Sequence, residues 1–319
     1  MNSKGLSRRR AMAQAGLLVG AAVVAEEVGV TAVSASPAMR ETTRPFRYCL
    51  NTATIRGQKL GLVKEMEVAA QAGYDAIEPW VRDLQDYVQK GGSLAELRKR
   101  LSDSGLTMES AIAFSEWLVE DDERRAKGLE RAKREMELVA QLGGKRYAAP
   151  PAGATDLPRL DLKKAAERYR ALLEAGEQSG VVAQLELWGS SKNLGQLGEC
   201  VGAAMETGHP HACVLADVYH LYKGGTDIHG IRLLGSNALQ VLHMNDYPSE
   251  PPREKIDDSF RVYPGDGVAP MAEVLRLLRG TGGQKVLSLE VFNRSYWAQD
   301  ALEVARTGLA KMKAVAEKV

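Results

Sequence analysis

The chain has 319 residues, 45% of them hydrophobic, and a formal net charge of +1 at pH 7. That length holds one large α/β barrel or two modest domains, with enough apolar material for a full core. The near-zero charge excludes a general field for nucleic acid or an anionic membrane, and three cysteines without CxxC or zinc-ribbon spacing exclude a disulfide framework.

Residues 1–35 read as an export signal. Ser7-Arg8-Arg9-Arg10 precedes an apolar stretch, Ala11–Ala25, and small residues end the segment with a cleavage site after Ala35. The opening resembles a twin-arginine signal, which places the mature protein in the periplasm. The apolar run is too short, and too soon followed by Glu26-Glu27, for a transmembrane span, so no stable span is expected in the mature chain. Residues 36–45 form a polar connector.

From residue 46 to the end the pattern is regular. Strand signals at Phe46–Ala53, Tyr74–Trp80, Leu106–Phe114 and Lys145–Ala149 alternate with helical periodicity at Gly61–Ala72, Ser93–Ser104, Asp121–Leu142 and Leu162–Gly180. The second half continues with strands at Val181–Leu187, Ala212–Val218, Ala238–Met244 and Gln284–Val291. Helices follow at Leu194–Thr207, Ile228–Leu234, Pro270–Arg279 and Gln299–Val319. Eight such units predict an α/β protein with a (β/α)8 TIM barrel as a single domain over 46–319. No Gly-rich dinucleotide loop follows the first strand, which disfavours an open doubly wound sheet.

Chemistry gathers in the last four strands. V-L-A-D-V-Y-H at Val214–His220 and V-L-H-M-N-D at Val241–Asp246 are apolar runs that end in metal-type ligands. Glu186 in L-E-L-W and Glu290 in L-E-V-F repeat the pattern on either side. Each group alone is explained by a solvated loop or a helix cap. Four at the same end of consecutive strands are not, because a barrel converges them on one axis. Glu186, Asp217, His243 and Glu290 are therefore the expected ligands of one divalent ion (Mn, Mg, Co or Zn). His220 better fits a place beside the substrate than a fifth ligand. Asp246 could orient an imidazole or bind a substrate hydroxyl. Glu78 and Trp188 face the same mouth and are expected to bind substrate, with a structural place as the alternative for Glu78. Trp80, Trp117 and Trp297 stand after other strands, as sugar-stacking groups or core caps. His209, His211 and His229 belong to loops or helix starts away from the mouth.

G-Y-D-A-I-E at Gly73–Glu78, L-E-L-W at Leu185–Trp188, D-V-Y-H at Asp217–His220, H-M-N-D-Y-P at His243–Pro248, G-D-G at Gly265–Gly267 and L-E-V-F at Leu289–Phe292 resemble the xylose-isomerase-like TIM-barrel superfamily. Within it the chain is similar to the sugar phosphate isomerase/epimerase branch over roughly residues 46–318. The resemblance implies the same four metal ligands, with Glu186 and Glu290 doubling as acid and base and His220 near the substrate. Two positions depart from the ketose 3-epimerase pattern. Lys192 stands where a substrate-binding Glu is usual, and Ser249 where an Arg is usual, with Arg253 the nearest candidate.

The expected activity is a metal-dependent sugar isomerase or epimerase working through an enediolate on a keto sugar or related polyol ketone. The alternatives are a dehydratase or lyase on an oxidised sugar or inosose, and a non-catalytic exported sugar-binding protein. An apurinic-type endonuclease on this barrel would need more histidines and a basic face. The expected partner is a small carbohydrate, not nucleic acid, and a homo-oligomer is compatible with the sequence.

Overall fold

The structure, a computed structural model, describes residues 44–319. The expected export signal, 1–35, and residues 36–43 of the connector lie outside the described residues.

Eight parallel strands form one sheet: β1 (Phe46–Asn51), β2 (Ala76–Glu78), β3 (Thr107–Met108), β4 (Arg146–Ala149), β5 (Val182–Glu186), β6 (Val214–Asp217), β7 (Leu239–Met244) and β8 (Lys285–Leu289). Their spatial order is β3-β2-β1-β8-β7-β6-β5-β4. The circle closes just beyond β3. There the Ala111 N–H donates to the Arg146 carbonyl at 3.2 Å, and the Ala148 N–H donates to the Ala111 carbonyl at 2.9 Å. The fold is a (β/α)8 barrel.

Sequence expectation and structure differ most around strand three, expected over Leu106–Phe114. Ladder pairing covers only Thr107–Met108, because the chain then bends to bond β4 through Ala111 and to meet Trp80 through Ile112. Helices at Val81–Gln89 and Val218–Lys223 were not expected. The second begins directly after Asp217, the last residue of β6, and the first follows β2 after only Pro79 and Trp80, leaving little or no loop to announce them. Among the described residues no helix is long and apolar enough to cross a membrane.

A period of two along each strand decides what faces the barrel axis. Cys49, Ala76, Ala148, Leu215, Val241 and Val286 form a small apolar layer inside the barrel. Leu185, Leu242, Leu287 and Leu289 point outward and join the larger core beneath the helices. Below the inner layer, Glu109 takes Arg47 and Arg146, and Arg146 also holds Gln240, so ion pairs and an amide close the barrel bottom. One step above the layer, at the carboxyl ends, the inward positions are Asn51, Glu78, Glu186, Asp217, His243 and Ser288, with Glu290 one further step along, just past the end of β8. This polar layer sits where barrels build active sites.

Candidate metal centre and active site

His243 stands at the middle of the polar layer and is fully buried. Its Nδ1 lies 3.3 Å from Glu290 Oε2, 3.6 Å from Glu186 Oε1 and 3.8 Å from Asp217 Oδ2. Its Nε2, on the other side of the ring, lies 3.0 Å from Glu78 Oε2. That oxygen also accepts from Ser288 Oγ at 2.6 Å and Asn51 Nδ2 at 3.0 Å. Glu78 therefore sits under the imidazole and aims Nδ1 at the mouth. It has 0% exposure and no reach to a substrate, which corrects its expected substrate-binding place. A carboxylate behind a histidine is the usual means of fixing the ring of a metal ligand.

Glu186, His243 and Glu290 each offer one ligand atom, and these atoms lie within 4.8 Å of one another. Neither buried ring nitrogen makes a well-formed hydrogen bond; Nε2 faces Glu78, and Nδ1 faces the other three carboxylates. Two carboxylates and one imidazole around an unpartnered ring nitrogen suit a divalent cation. Asp217 is drawn aside. Its Oδ1 caps the helix at Val218–Lys223 through the His220 N–H, at 2.8 Å. Its Oδ2 accepts from Asn245 Nδ2 and Arg261 Nη1, both at 2.9 Å. It remains beside the ligand group with both oxygens engaged.

Arg261 is the main residue that sequence reasoning missed. It is 1% exposed. Nη1 donates to Asp217 and Glu290, each at 2.9 Å, while Nη2 reaches Asp258 and lies 3.2 Å from His220 Nε2. These acidic neighbours outweigh the cost of burial and raise its pKa further. Counting along the chain from His243 pointed to Arg253, which is exposed and lines no part of the mouth. The chain instead runs out and returns as an antiparallel bridge between Asp246 and Val262, closed by two 2.9 Å backbone bonds. This return delivers Arg261 to the ligands. The bridge depends on contacts distant in sequence, so no local signal marks it. Asn51 did have a signal: it continues the inward alternation of β1 after Cys49, and its Nδ2 also donates to Glu290 Oε1 at 3.1 Å.

Asp246 is likewise corrected. Its carboxylate is buried and accepts the N–H groups of Tyr247 at 2.8 Å and of Gly265 and Ala269 at 2.9 Å. It staples the Gly265–Ala269 turn and does not reach the mouth. A Cβ on Gly267 would come within 2.3 Å of its Oδ1, which explains the second glycine of the turn.

Burial dominates the titration of the site. It raises the Glu186 carboxyl to about 7, with His243 opposing and the charges of Glu290 and Asp217 adding. It would lower His243, but Glu78, Glu290 and Glu186 reverse the sign and raise it well above the ordinary histidine range. His220 is lowered by burial, so its ring is neutral. Glu186, Glu290, His220 and Arg261 form part of the lining of a mouth cavity of about 560 Å³, together with Trp80, Phe114, Trp188 and Phe292. Trp117 is fully buried and spends its indole N–H on Pro150, and Trp297 spends its own on Ala53. His209 and His229 pair with acidic residues away from the ligand set. A cavity of about 1070 Å³ beyond Arg56 and Arg82 holds none of the ligand group.

The sequence model of the xylose isomerase-like TIM barrel family matches residues 66–315. An inosose isomerase of Bacillus velezensis is 24% identical over 279 residues, 86% of this chain and 98% of that protein. A 3-dehydroshikimate dehydratase of Pseudomonas putida is 27% identical over 260 residues, 79% of this chain; the chain spans only 39% of its length. The crystal structure of IOLI protein with a binding zinc atom superposes with a TM-score of 0.79 at 22% identity, covering 85% of this chain and 98% of that one.

Proposed function

Because the chain belongs to the xylose isomerase-like TIM barrel family, we propose that it is a divalent-metal-dependent isomerase or epimerase. In this reading it moves a proton on a carbon beside a carbonyl of a keto sugar or polyol ketone. The carrying observation is the pair of carboxylates, Glu186 and Glu290, set with His243 in one group of ligand atoms at the cavity floor.

A divalent cation held by Glu186, His243 and Glu290, beside Asp217, would supply Lewis-acid polarisation of the carbonyl. The chain's own groups do the rest. Glu186 Oε2 is buried without a partner, which leaves that oxygen open to accept a proton. Glu290 faces it across the His243 ring nitrogen, so a proton removed by one can be replaced by the other. Arg261, with Nη1 shared between Glu290 and Asp217, offsets the charge of those two carboxylates and holds them in place. Glu78, Ser288 and Asn51 hold the imidazole and do not touch substrate.

Elimination of a hydroxyl from the same enediolate is the second reading, favoured by the similarity to a dehydratase. Incubation of the metal-loaded protein with ketoses and inososes in D2O tests both. Deuterium at the carbon next to the ketone without change of mass otherwise supports isomerisation. Loss of water supports elimination, and absence of both from every substrate in the panel contradicts the proposal. Export through the twin-arginine route belongs to the same proposal. It is checked by the N-terminus of the protein recovered from the periplasm, expected after Ala35; recovery in the cytoplasm alone would contradict it.

A further inference from the structure

Four aromatic side chains from four different βα connections make a continuous arc around the mouth. Ring centroids are 4.9 Å apart for Trp80 and Phe114, 6.3 Å for Trp80 and Phe292, and 6.0 Å for Phe114 and Trp188. Phe114, Trp188 and Phe292 are only half-buried, and all four line the 560 Å³ cavity whose floor carries Glu186 and Glu290. Trp80 is buried with Arg56 and Arg82 over its ring and Phe292 has Arg261 over its own, whereas Phe114 and Trp188 keep partly exposed surface in the cavity lining. Such surface attracts rings and apolar groups.

The charge of the cavity narrows the ligand further. Among the described residues that line it, Arg261 is the only cation, against Asp156, Glu186, Asp258 and Glu290. Both terminal nitrogens of Arg261 are already taken by carboxylates. The lining therefore leaves no free side-chain cation to hold a phosphate, and the ion held by Glu186, His243 and Glu290 would be the one positive charge open to it.

We propose that this site takes an uncharged keto sugar ring carrying an apolar, ring-bearing substituent: a glycoside with an aromatic aglycone stacked on the Phe114–Trp188 side of the arc. This deepens the isomerase reading and rests on it for the reacting ketone. Free ketoses lack the group that the arc accommodates, and phosphorylated ones find no side-chain cation to hold them.

Titration calorimetry on the Mn2+-loaded protein tests the inference with non-reacting probes, so the outcome does not depend on turnover. Phenyl glucopyranoside is expected to bind about tenfold tighter than methyl glucopyranoside, the advantage of a stacked ring pair, and glucose 6-phosphate weaker than either. Phe114→Leu and Trp188→Leu, each checked by circular dichroism, should bring the phenyl-to-methyl ratio to within about twofold. Equal affinities in the parent protein, no measurable binding of the phenyl glucoside, tighter binding of the 6-phosphate, or a phenyl preference that survives both substitutions would overturn it. Failure of the isomerase reading shows separately, as absence of deuterium uptake from keto substrates while the phenyl preference persists.

Discussion

Glu78→Gln isolates one term in the metal centre. Oε2 of Glu78 alone receives Ser288 Oγ at 2.6 Å and Asn51 Nδ2 at 3.0 Å, and lies 3.0 Å from His243 Nε2. A glutamine can place its single oxygen at that point and keep all three contacts. What it removes is the charge. Charge-assisted bonds are roughly twice as strong as neutral ones, and bonds to charged groups contribute about 1.5–3 kcal/mol. Losing half of the stronger bonds weakens the hold on the ring by on the order of 1–2 kcal/mol. At about 1.4 kcal/mol per tenfold, the affinity for a divalent ion should fall by roughly five- to thirtyfold, overlapping the roughly ten- to hundredfold usual for partners of ligating histidines. Competition with a fluorescent chelator for Zn2+ or Mn2+ measures this, with circular dichroism to show that the variant is folded. A folded variant within twofold of the parent affinity would refute the reasoning, since Glu78 would then not orient a metal ligand.

Glu290→Gln should leave the fold intact and lower turnover by about 10²–10⁴, the usual contribution of a general acid or base; near-parental turnover would remove Glu290 from proton transfer. Asp246→Ala strands the buried Tyr247 N–H and the part-buried N–H groups of Gly265 and Ala269 and should cost about 1–3 kcal/mol in urea unfolding. Full stability with weakened substrate binding would restore Asp246 to the site. Glu65 is buried, and Oε2 has no hydrogen-bond partner. Its carboxyl is raised from 4.5 to about 7 by burial, with Asp83 adding and Arg56 opposing. The folded state thus favours the protonated form, so stability from this group is full at low pH and is lost as pH rises from 4.5 through 7. Glu65→Gln should therefore stabilise the protein by about 1–3 kcal/mol at pH 8 and hardly at pH 5. Equal effects at both pH values in urea titrations would contradict this.

The barrel was legible because its strands are buried on both faces and read as short apolar runs between amphipathic helices. The polar end of each run was legible for the same reason: Glu186, Asp217, His243 and Glu290 interrupt apolar sequence where a period of two turns the side chain inward. Direction along a strand is a local property. Partnership is not. Nothing near Asp217 in sequence shows that both its oxygens are engaged by the His220 N–H, Asn245 and Arg261. Nothing near Asp246 shows that it faces the Gly265–Ala269 turn and not the mouth. Arg261 was hidden by the outward and returning loop after β7, whose length made counting from His243 meaningless. Glu78 was placed at the correct strand end but in the wrong role, because one level of depth separates a group that touches substrate from one that supports an imidazole.

The central claim is that the carboxylates and the imidazole of the last four strands hold one cation. A crystal structure of the metal-loaded protein, with anomalous scattering recorded at the metal edge, tests it most directly. The account predicts one peak within bonding distance of His243 Nδ1 and of the Glu186 and Glu290 carboxylates. A saturating ion bound anywhere else, with His243 Nδ1 left without a metal contact, would contradict it.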